Sequence, residues 1–94
     1  MKAEQLTEIL ETAALQLGVK VHYETLAASG PTGGGGLCKV KGEWRVIIDK
    51  KTVPSERASI LADALATLDT EGIFLPPKVR EMIAQRRAGI PKPA

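Results

Sequence analysis

Apolar residues near the start of the chain recur at steps of three and four over residues 3–17. This spacing places them along one face of a helix, and glutamates occupy the opposite face. Gly18 follows the last apolar residue, and glycine readily adopts the left-handed conformation with which many helices end. The pattern therefore predicts a first helix that ends before Gly18.

Alternating apolar and polar residues predict three strands after this helix. They cover residues 19–24, 37–40 and 44–49. Alternation with a period of two is typical of a strand that has one buried and one exposed face. We expect the three strands to pair as a small antiparallel sheet.

The length of the turn near residues 41–43 decides which side chains share a face. A two-residue turn would place Cys38 on the opposite face from Val46 and Ile48, whereas a three-residue turn would place them together. We expect three residues, because a single apolar face is the stronger constraint. Cys38 then faces the core, and His22, which alternates with the apolar residues of the first strand, faces solvent on the other side of the sheet.

The second half of the chain predicts two helices. The first covers residues 54–69, and the second begins at Pro76-Pro77. The order of one helix, three strands and two helices predicts an α+β fold, in which a three-stranded antiparallel sheet is packed by one N-terminal and two C-terminal helices. We expect a single domain over residues 1–88 and a flexible, proline-containing tail over residues 89–94.

Composition limits the size of the core and the cellular location. The chain has 94 residues, of which 44% are hydrophobic, but only one each of Trp, Tyr and Phe. A thin aliphatic core of this kind leaves apolar surface that a partner or a second copy can cover. The single cysteine and the lack of a charged-then-apolar leader predict the cytoplasm. No apolar run approaches the roughly 20 residues that span a bilayer, so no membrane partner is expected.

Residues with reactive side chains are few. Cys38 and His22 are the only cysteine and the only histidine. Because the predicted sheet places them on opposite faces, they form no nucleophile pair and do not converge on a metal ion. Asp63 is either a solvated carboxylate or a buried one paired with Arg57 or Lys50. We expect no catalytic centre, no metal and no cofactor.

The glycine-rich segment 30–36 supports an alternative hypothesis of ligand binding. Glycines let backbone amides approach an anion, but a phosphate loop leads into a helix, and here a strand follows. The segment would act instead as a lid over a small ligand or anion. The ligand-binding residues in this hypothesis are Lys39, Arg45 and His22.

Basic residues are concentrated near the C-terminus, although the formal net charge is only +2. Lys78, Arg80, Arg86 and Arg87 could contact nucleic-acid phosphates. No aromatic side chains for base stacking accompany them, and a positive last turn also complements the dipole of a helix. Nucleic-acid binding is therefore the weaker alternative.

The run from the first helix through the hairpin to the helix at residues 54–69 resembles the minimal zinc-peptidase core of the ImmA/IrrE type. In that family a strand motif like Val46-Ile47-Ile48-Asp49 leads into a helix bearing Leu-Ala-His-Glu-Leu-Gly-His, which is matched here by residues 61–67. The resemblance implies that the metal-ligand histidines would fall at Asp63 and Thr67 and the catalytic glutamate at Ala64. It therefore implies a zincin-like domain that has lost its peptidase activity.

Two short segments, Gly-Gly-Leu-Cys at residues 35–38 and Leu-Pro-Pro-Lys-Val-Arg at residues 75–80, are similar to segments of small bacterial proteins of unknown function. Because no reactive constellation is expected and a thin core leaves apolar surface, the leading hypothesis is a non-enzymatic bacterial module that binds another protein or forms a homodimer. Its expected interaction surface consists of Trp44, Ile47, Phe74, Arg80, Arg86 and Arg87.

Overall fold

The computed structural model describes residues 2–25 and 35–89. Its elements follow in the order α1 (Ala3–Gln16), β1 (Lys20–Glu24), β2 (Gly35–Val40), β3 (Glu43–Asp49), α2 (Pro54–Ala66) and α3 (Pro77–Ala88). Three helices and a three-stranded sheet confirm the α+β prediction. Gly35 and Gly36 belong to β2, whereas the rest of the glycine-rich segment and residues 90–94 of the predicted tail lie outside the described residues.

The end of α1 follows the prediction. Gly18 has a φ of 78°, and its N–H donates to the Leu15 carbonyl over 3.0 Å. The next N–H, that of Val19, donates to the Ala14 carbonyl over 2.8 Å. These two bonds form the Schellman motif, which favours glycine because other L-residues are strained at this positive φ. The motif turns the chain into β1 and buries Val19 in the core.

The central strand of the sheet is β3, with β1 and β2 on either side of it. The pairing of β2 with β3 is antiparallel, but that of β1 with β3 is parallel, so the prediction of a wholly antiparallel sheet is wrong. Residues 46–48 of β3 are the longest apolar run in the three strands. A strand with this composition gains most from a central position, where both neighbours shield it, and β1 therefore pairs with β3 rather than with β2.

The hairpin between β2 and β3 has a two-residue turn, not the three-residue turn predicted. Val40 pairs with Glu43, which leaves Lys41 and Gly42 in the turn. Both turn residues have a positive φ, 51° and 82°. This is the geometry of a type I′ turn, whose twist matches the right-handed twist of the two strands.

The register of the hairpin assigns the β2 side chains to faces. Leu37 is level with Val46 and faces the helices, whereas Cys38 is level with Arg45 and faces away from them. The prediction that Cys38 shares a face with Val46 and Ile48 is therefore wrong. Val46 and Ile48 are fully buried without it, so the core did not require a third residue in the turn.

The core lies between one face of the sheet and helices α1 and α2, and α3 extends it by packing against α2. Val46 and Ile48 pack there with Leu10 of α1 and with Leu61 and Leu65 of α2. Burial of each such side chain stabilises the fold by roughly 1.5 to 3 kcal/mol. None of the described helices is long and apolar enough to cross a membrane.

A polar cluster closes the edge of the core where α1, β1 and α2 meet. The Tyr23 O–H donates to a carboxylate oxygen of Glu11, and the Arg57 guanidinium lies over the Tyr23 ring, 4.9 Å from its centroid. Arg57 also donates to the Lys50 carbonyl over 2.9 Å. Burial, together with the bond to Glu11, raises the pKa of Tyr23 to about 12. The phenol therefore remains a donor at neutral pH and links the sheet to α1.

Candidate functional site

The face of the sheet that points away from the core is here called the outer face. Its centre consists of His22 on β1, Arg45 and Ile47 on β3, and Cys38 on β2, all of which are half-buried. The strand residues that contact the core alternate with these four. Within residues 2–25 and 35–89, α1 and α2 therefore pack on the opposite face, α3 packs against α2, and no helix packs on the outer face.

The outer face carries both His22 and Cys38, contrary to the prediction that they lie on opposite faces. His22 is level with Ile47, and Cys38 is level with Arg45, two positions earlier along β3. Because β3 runs between their strands, their backbones are at least about 10 Å apart. The thiol and the imidazole thus share a face without forming a nucleophile pair.

Positive side chains occupy one end of the outer face. Lys20 and Arg45 are level with each other on β1 and β3. The Glu43 carboxylate lies 3.4 Å from Lys20 Nζ and 3.5 Å from Arg45 Nη2. The hydrogen bonds and positive charges of these two side chains, chiefly Lys20, hold the pKa of Glu43 below its usual value. Two positive charges and one negative charge leave this end with a net positive charge.

Negative side chains occupy the other end. Glu24 and Asp49 are level with each other, four residues further along β1 and β3. Asp49 Oδ1 accepts the Lys51 N–H over 3.0 Å, which fixes the carboxylate at the end of β3. The outer face therefore changes sign along its strands, with Ile47 and His22 between the two charged ends.

At the centre of the outer face, two buried nitrogens have no hydrogen-bond partner among the described residues, His22 Nε2 and Arg45 Nε. A buried polar atom without a partner costs roughly 1 to 3 kcal/mol. The described part of the chain supplies no acceptor for the Arg45 Nε–H, although Arg45 Nη2 donates to Glu43. A polar group that reached these atoms would relieve this cost.

The predicted ligand-binding residues do not form one set. Lys39 is level with Trp44 on the other face of the sheet, and its Nζ lies 5.3 Å from the centroid of the Trp44 ring. Only His22 and Arg45 share the outer face. The ligand-binding hypothesis is therefore reduced to these two side chains.

The apolar residues of the predicted interaction surface lie in three regions. Ile47 is on the outer face, and Trp44 is at the hairpin end of the opposite face, where it is 39% exposed. Phe74 is 81% exposed and borders a groove of about 360 Å³ beside α1. The groove is lined by Glu8, Ile9, Thr12, Ala13, Gln16, Phe74 and Pro76.

Two of the predicted interaction arginines bind within the fold. Arg80 donates to the Ile73 carbonyl over 2.8 Å, and Arg86 donates to Asp63 Oδ1 over 2.7 Å. Asp63 is exposed, so it is the solvated carboxylate of the two alternatives, and its partner is Arg86 rather than Arg57.

The third arginine, Arg87, caps the end of α2. Its guanidinium donates to the Ala66 carbonyl over 3.0 Å and to the Leu68 carbonyl over 2.7 Å. Carbonyls at the end of a helix lack partners within the helix, so a positive donor is favourable there. All three guanidinium groups therefore have structural partners inside the domain.

The positions that correspond to zinc-peptidase residues line a cleft between α2 and β2. Its volume is about 270 Å³, and it is lined by Gly35, Gly36, Leu37, Ile60, Asp63, Ala64 and Thr67. The Thr67 hydroxyl donates to the Ala64 carbonyl over 2.7 Å, and Asp63 binds Arg86. In the described residues, no three His, Cys, Asp or Glu side chains lie close enough to hold a metal ion.

Sequence reasoning did not single out the charged ends of the outer face. A signal was present, because Lys20, His22 and Glu24 alternate along β1 and change from positive to negative. The parallel pairing of β1 with β3 was the missing step. It places Lys20 beside Arg45 and Glu24 beside Asp49, so that charges of one sign collect at each end.

Comparisons with models of protein families, with curated proteins and with solved structures found no match to this chain. The function is therefore argued from the geometry of the outer face.

Proposed function

We propose that this chain is a non-enzymatic protein-interaction module whose contact surface is the outer face. The observation that carries the proposal is the position of Ile47. It belongs to the central strand, yet its side chain lies on the face that no described helix covers, while its neighbours Val46 and Ile48 are fully buried. An apolar side chain at the centre of a sheet face that no described helix covers is stabilised when a partner covers it.

The outer face has the composition of a small interface. Apolar contact comes from Ile47, Cys38 and Val40, the last of which is 37% exposed. Charged residues surround this centre on β1 and β3. Protein interfaces commonly combine an apolar centre with a polar rim, and the rim determines the orientation of the partner more than the affinity.

The absence of enzymatic activity, the bacterial origin and the cytoplasmic location belong to the same proposal. Cytoplasmic location is supported by the single cysteine, which is free and has no disulfide partner in the chain. The degenerate zincin hypothesis is supported by the cleft in which Asp63, Ala64 and Thr67 meet β2. A peptidase of that type needs two histidines and a glutamate at these three positions.

A second candidate function is the binding of a small anion at His22 and Arg45. The two buried nitrogens that have no partner in the described part of the chain favour it, because a phosphate or carboxylate oxygen accepts from Arg45 Nε and from His22 Nε2 when that nitrogen carries the proton. The test is an NMR titration with inorganic phosphate. Saturable shifts of the His22 imidazole that disappear in Arg45→Gln support this function, and a linear response that is the same in both chains contradicts it.

The interaction proposal is tested with a matched pair of variants. Ile47→Asp places a charge at the centre of the outer face, whereas Leu15→Asp makes the same kind of change on α1, where Leu15 is 65% exposed. Both should fold, because neither residue belongs to the buried core. We expect self-association or capture of a protein from a cell extract to be lost in Ile47→Asp and retained in Leu15→Asp. Equal behaviour of the two variants would rule out the outer face as the contact surface.

A further inference from the structure

We infer that the partner on the outer face is a second copy of this chain, packed sheet against sheet about a two-fold axis that runs across the strands at the level of His22 and Ile47. This inference rests on the proposed function. It adds the identity of the partner, the symmetry of the complex and the pairs of residues that meet.

The charge pattern supports a second copy because it is complementary to itself. Rotation about an axis across the strands places β1 over β1 of the second copy and β3 over β3 of the second copy. The strands of each pair then run in opposite directions. Lys20 then faces Glu24 of the second copy, and Arg45 faces Asp49 of the second copy, each contact occurring twice. His22 and Ile47 lie on the axis and meet their own counterparts, so the centre of β1 and β3 is flanked on both sides by ion pairs, four in all.

The same charges select this axis over an axis along the strands, which is the alternative for two sheets whose strands stay nearly aligned. An axis along the strands would keep every residue at its own level and place β3 over β3 in the same direction. Arg45 would then face Arg45, and Asp49 would face Asp49. Like charges that face each other across an interface are unfavourable, so the axis across the strands is preferred.

The geometry of packed sheets is compatible with these pairs. Sheets pack face to face at about 10 Å, and their strand directions usually differ by about 30°. Lys20 and Arg45 lie two residues from the axis, or about 6.6 Å along the strand, so this rotation moves them sideways by about 3 Å. Lysine and arginine side chains are long enough to follow that shift. Asp49 of the second copy also offers an acceptor near Arg45 Nε, which has no partner among the described residues of its own chain.

The size of the face predicts weak association. Three strands of about five residues cover about 14 Å by 17 Å, which is small for a stable interface. We expect a dissociation constant of tens of micromolar or weaker at low salt, and further weakening as salt screens the four ion pairs.

The test is a charge exchange between two exposed residues, measured by sedimentation equilibrium from micromolar to about millimolar concentration. Lys20→Glu makes both Lys20 contacts repulsive, and so does Glu24→Lys. Each variant should raise the dissociation constant of the dimer about tenfold, because it loses two contacts of roughly 0.5 to 1 kcal/mol each. The double variant Lys20→Glu/Glu24→Lys restores opposite charges at both contacts and should return to within about threefold of the wild type.

Mixing the two single variants provides an independent control. A heterodimer of Lys20→Glu with Glu24→Lys has an ion pair at both contacts, whereas each variant alone has none there. The mixture should therefore associate about tenfold more tightly than either variant alone. Because both residues are exposed, circular dichroism should show unchanged folding in every variant.

The outcomes separate this inference from the proposed function. The inference is overturned if the dissociation constant of the dimer does not change in the charge variants. It is also overturned if the wild-type chain stays monomeric at millimolar concentration. The interaction proposal still stands if the wild-type chain captures another protein and this capture is lost in Ile47→Asp but retained in Leu15→Asp. In that case only the inference about a second copy is overturned. If Ile47→Asp changes neither association nor capture, both are overturned.

Discussion

Gly35 shows how a single residue can be essential to the sheet. Its φ is 143°, and a Cβ at this position would overlap the carbonyl oxygen of Ile47 on the neighbouring strand. Glycine is therefore required at the start of β2 for two reasons, backbone conformation and close approach of the strands. Gly36 has open space around the position of a Cβ and no positive φ.

We predict that Gly35→Ala lowers the free energy of unfolding by more than about 2 kcal/mol, because both strain and overlap must be relieved. Gly36→Ala should change it by less than about 0.5 kcal/mol. Chemical denaturation of the two variants measures the difference. Equal stability of the two would mean that β2 does not approach Ile47 as closely as described.

Tyr23 provides a prediction of pH dependence, since it is the only tyrosine. Its pKa of about 12 in the folded state lies above the ordinary value of 10.0. Stability from the protonated phenol is therefore complete below about pH 10 and is lost as the pH rises through 12. An ultraviolet titration of phenolate absorbance should give a midpoint near 12 in the folded chain.

Glu11→Gln should lower that midpoint toward 10, because it removes the negative charge that disfavours the phenolate. Glu8→Gln, which is on the same helix but makes no bond to Tyr23, should leave the midpoint unchanged. A wild-type midpoint near 10 in a chain that circular dichroism shows to be folded would contradict the Glu11 contact.

At the scale of elements, the hairpin turn is a place where the sequence is not optimal. Lys41 has a φ of 51°, a left-handed conformation that costs an ordinary L-residue roughly 1 kcal/mol. Asparagine tolerates it better, and Asn-Gly is a favoured pair in type I′ turns. Lys41→Asn should therefore raise the free energy of unfolding by about 0.5 to 1 kcal/mol, measured by thermal denaturation.

Lys41→Ala is the matched control for this prediction. It removes the same charge but has no preference for a positive φ, so it should not stabilise the chain. A stabilisation of equal size in both variants would trace the effect to the lysine charge and not to the turn.

The cap on α2 gives a second prediction at this scale. Arg87 donates to the carbonyls of Ala66 and Leu68, which no N–H of α2 reaches. Arg86, its neighbour on α3, makes one exposed ion pair with Asp63. Arg87→Ala should lower the free energy of unfolding by about 1 to 2 kcal/mol, and Arg86→Ala by about 0.2 to 1 kcal/mol. Denaturation of both variants decides the order, and a larger loss for Arg86→Ala would contradict the capping role.

Helix positions were predictable from sequence, and strand pairing was not. Gly18 and Pro54 carry local conformational preferences, so they locate the end of α1 and the start of α2 within a few residues. The alternation of Val21, His22 and Tyr23 is the same in parallel and antiparallel strands. It therefore predicts a strand but not the partner of that strand or its direction.

The outer face is a property of the whole molecule, which explains why sequence alone did not predict it. The parallel pairing brought Lys20 to Arg45, and the two-residue turn brought Cys38 to the face of His22. Each step depends on contacts between residues distant in sequence or on a one-residue difference in the turn. The residues of the candidate site were partly predicted, as His22, Arg45 and Ile47, but their grouping was not.

The most direct test of the outer face is an NMR dilution series on the uniformly labelled wild-type chain. Amide shifts that change with concentration should cluster on β1 and β3, around His22, Arg45 and Ile47, and should be absent in Ile47→Asp. Changes that cluster instead on α1 and around Phe74, or a spectrum independent of concentration up to about 1 mM, would contradict the account.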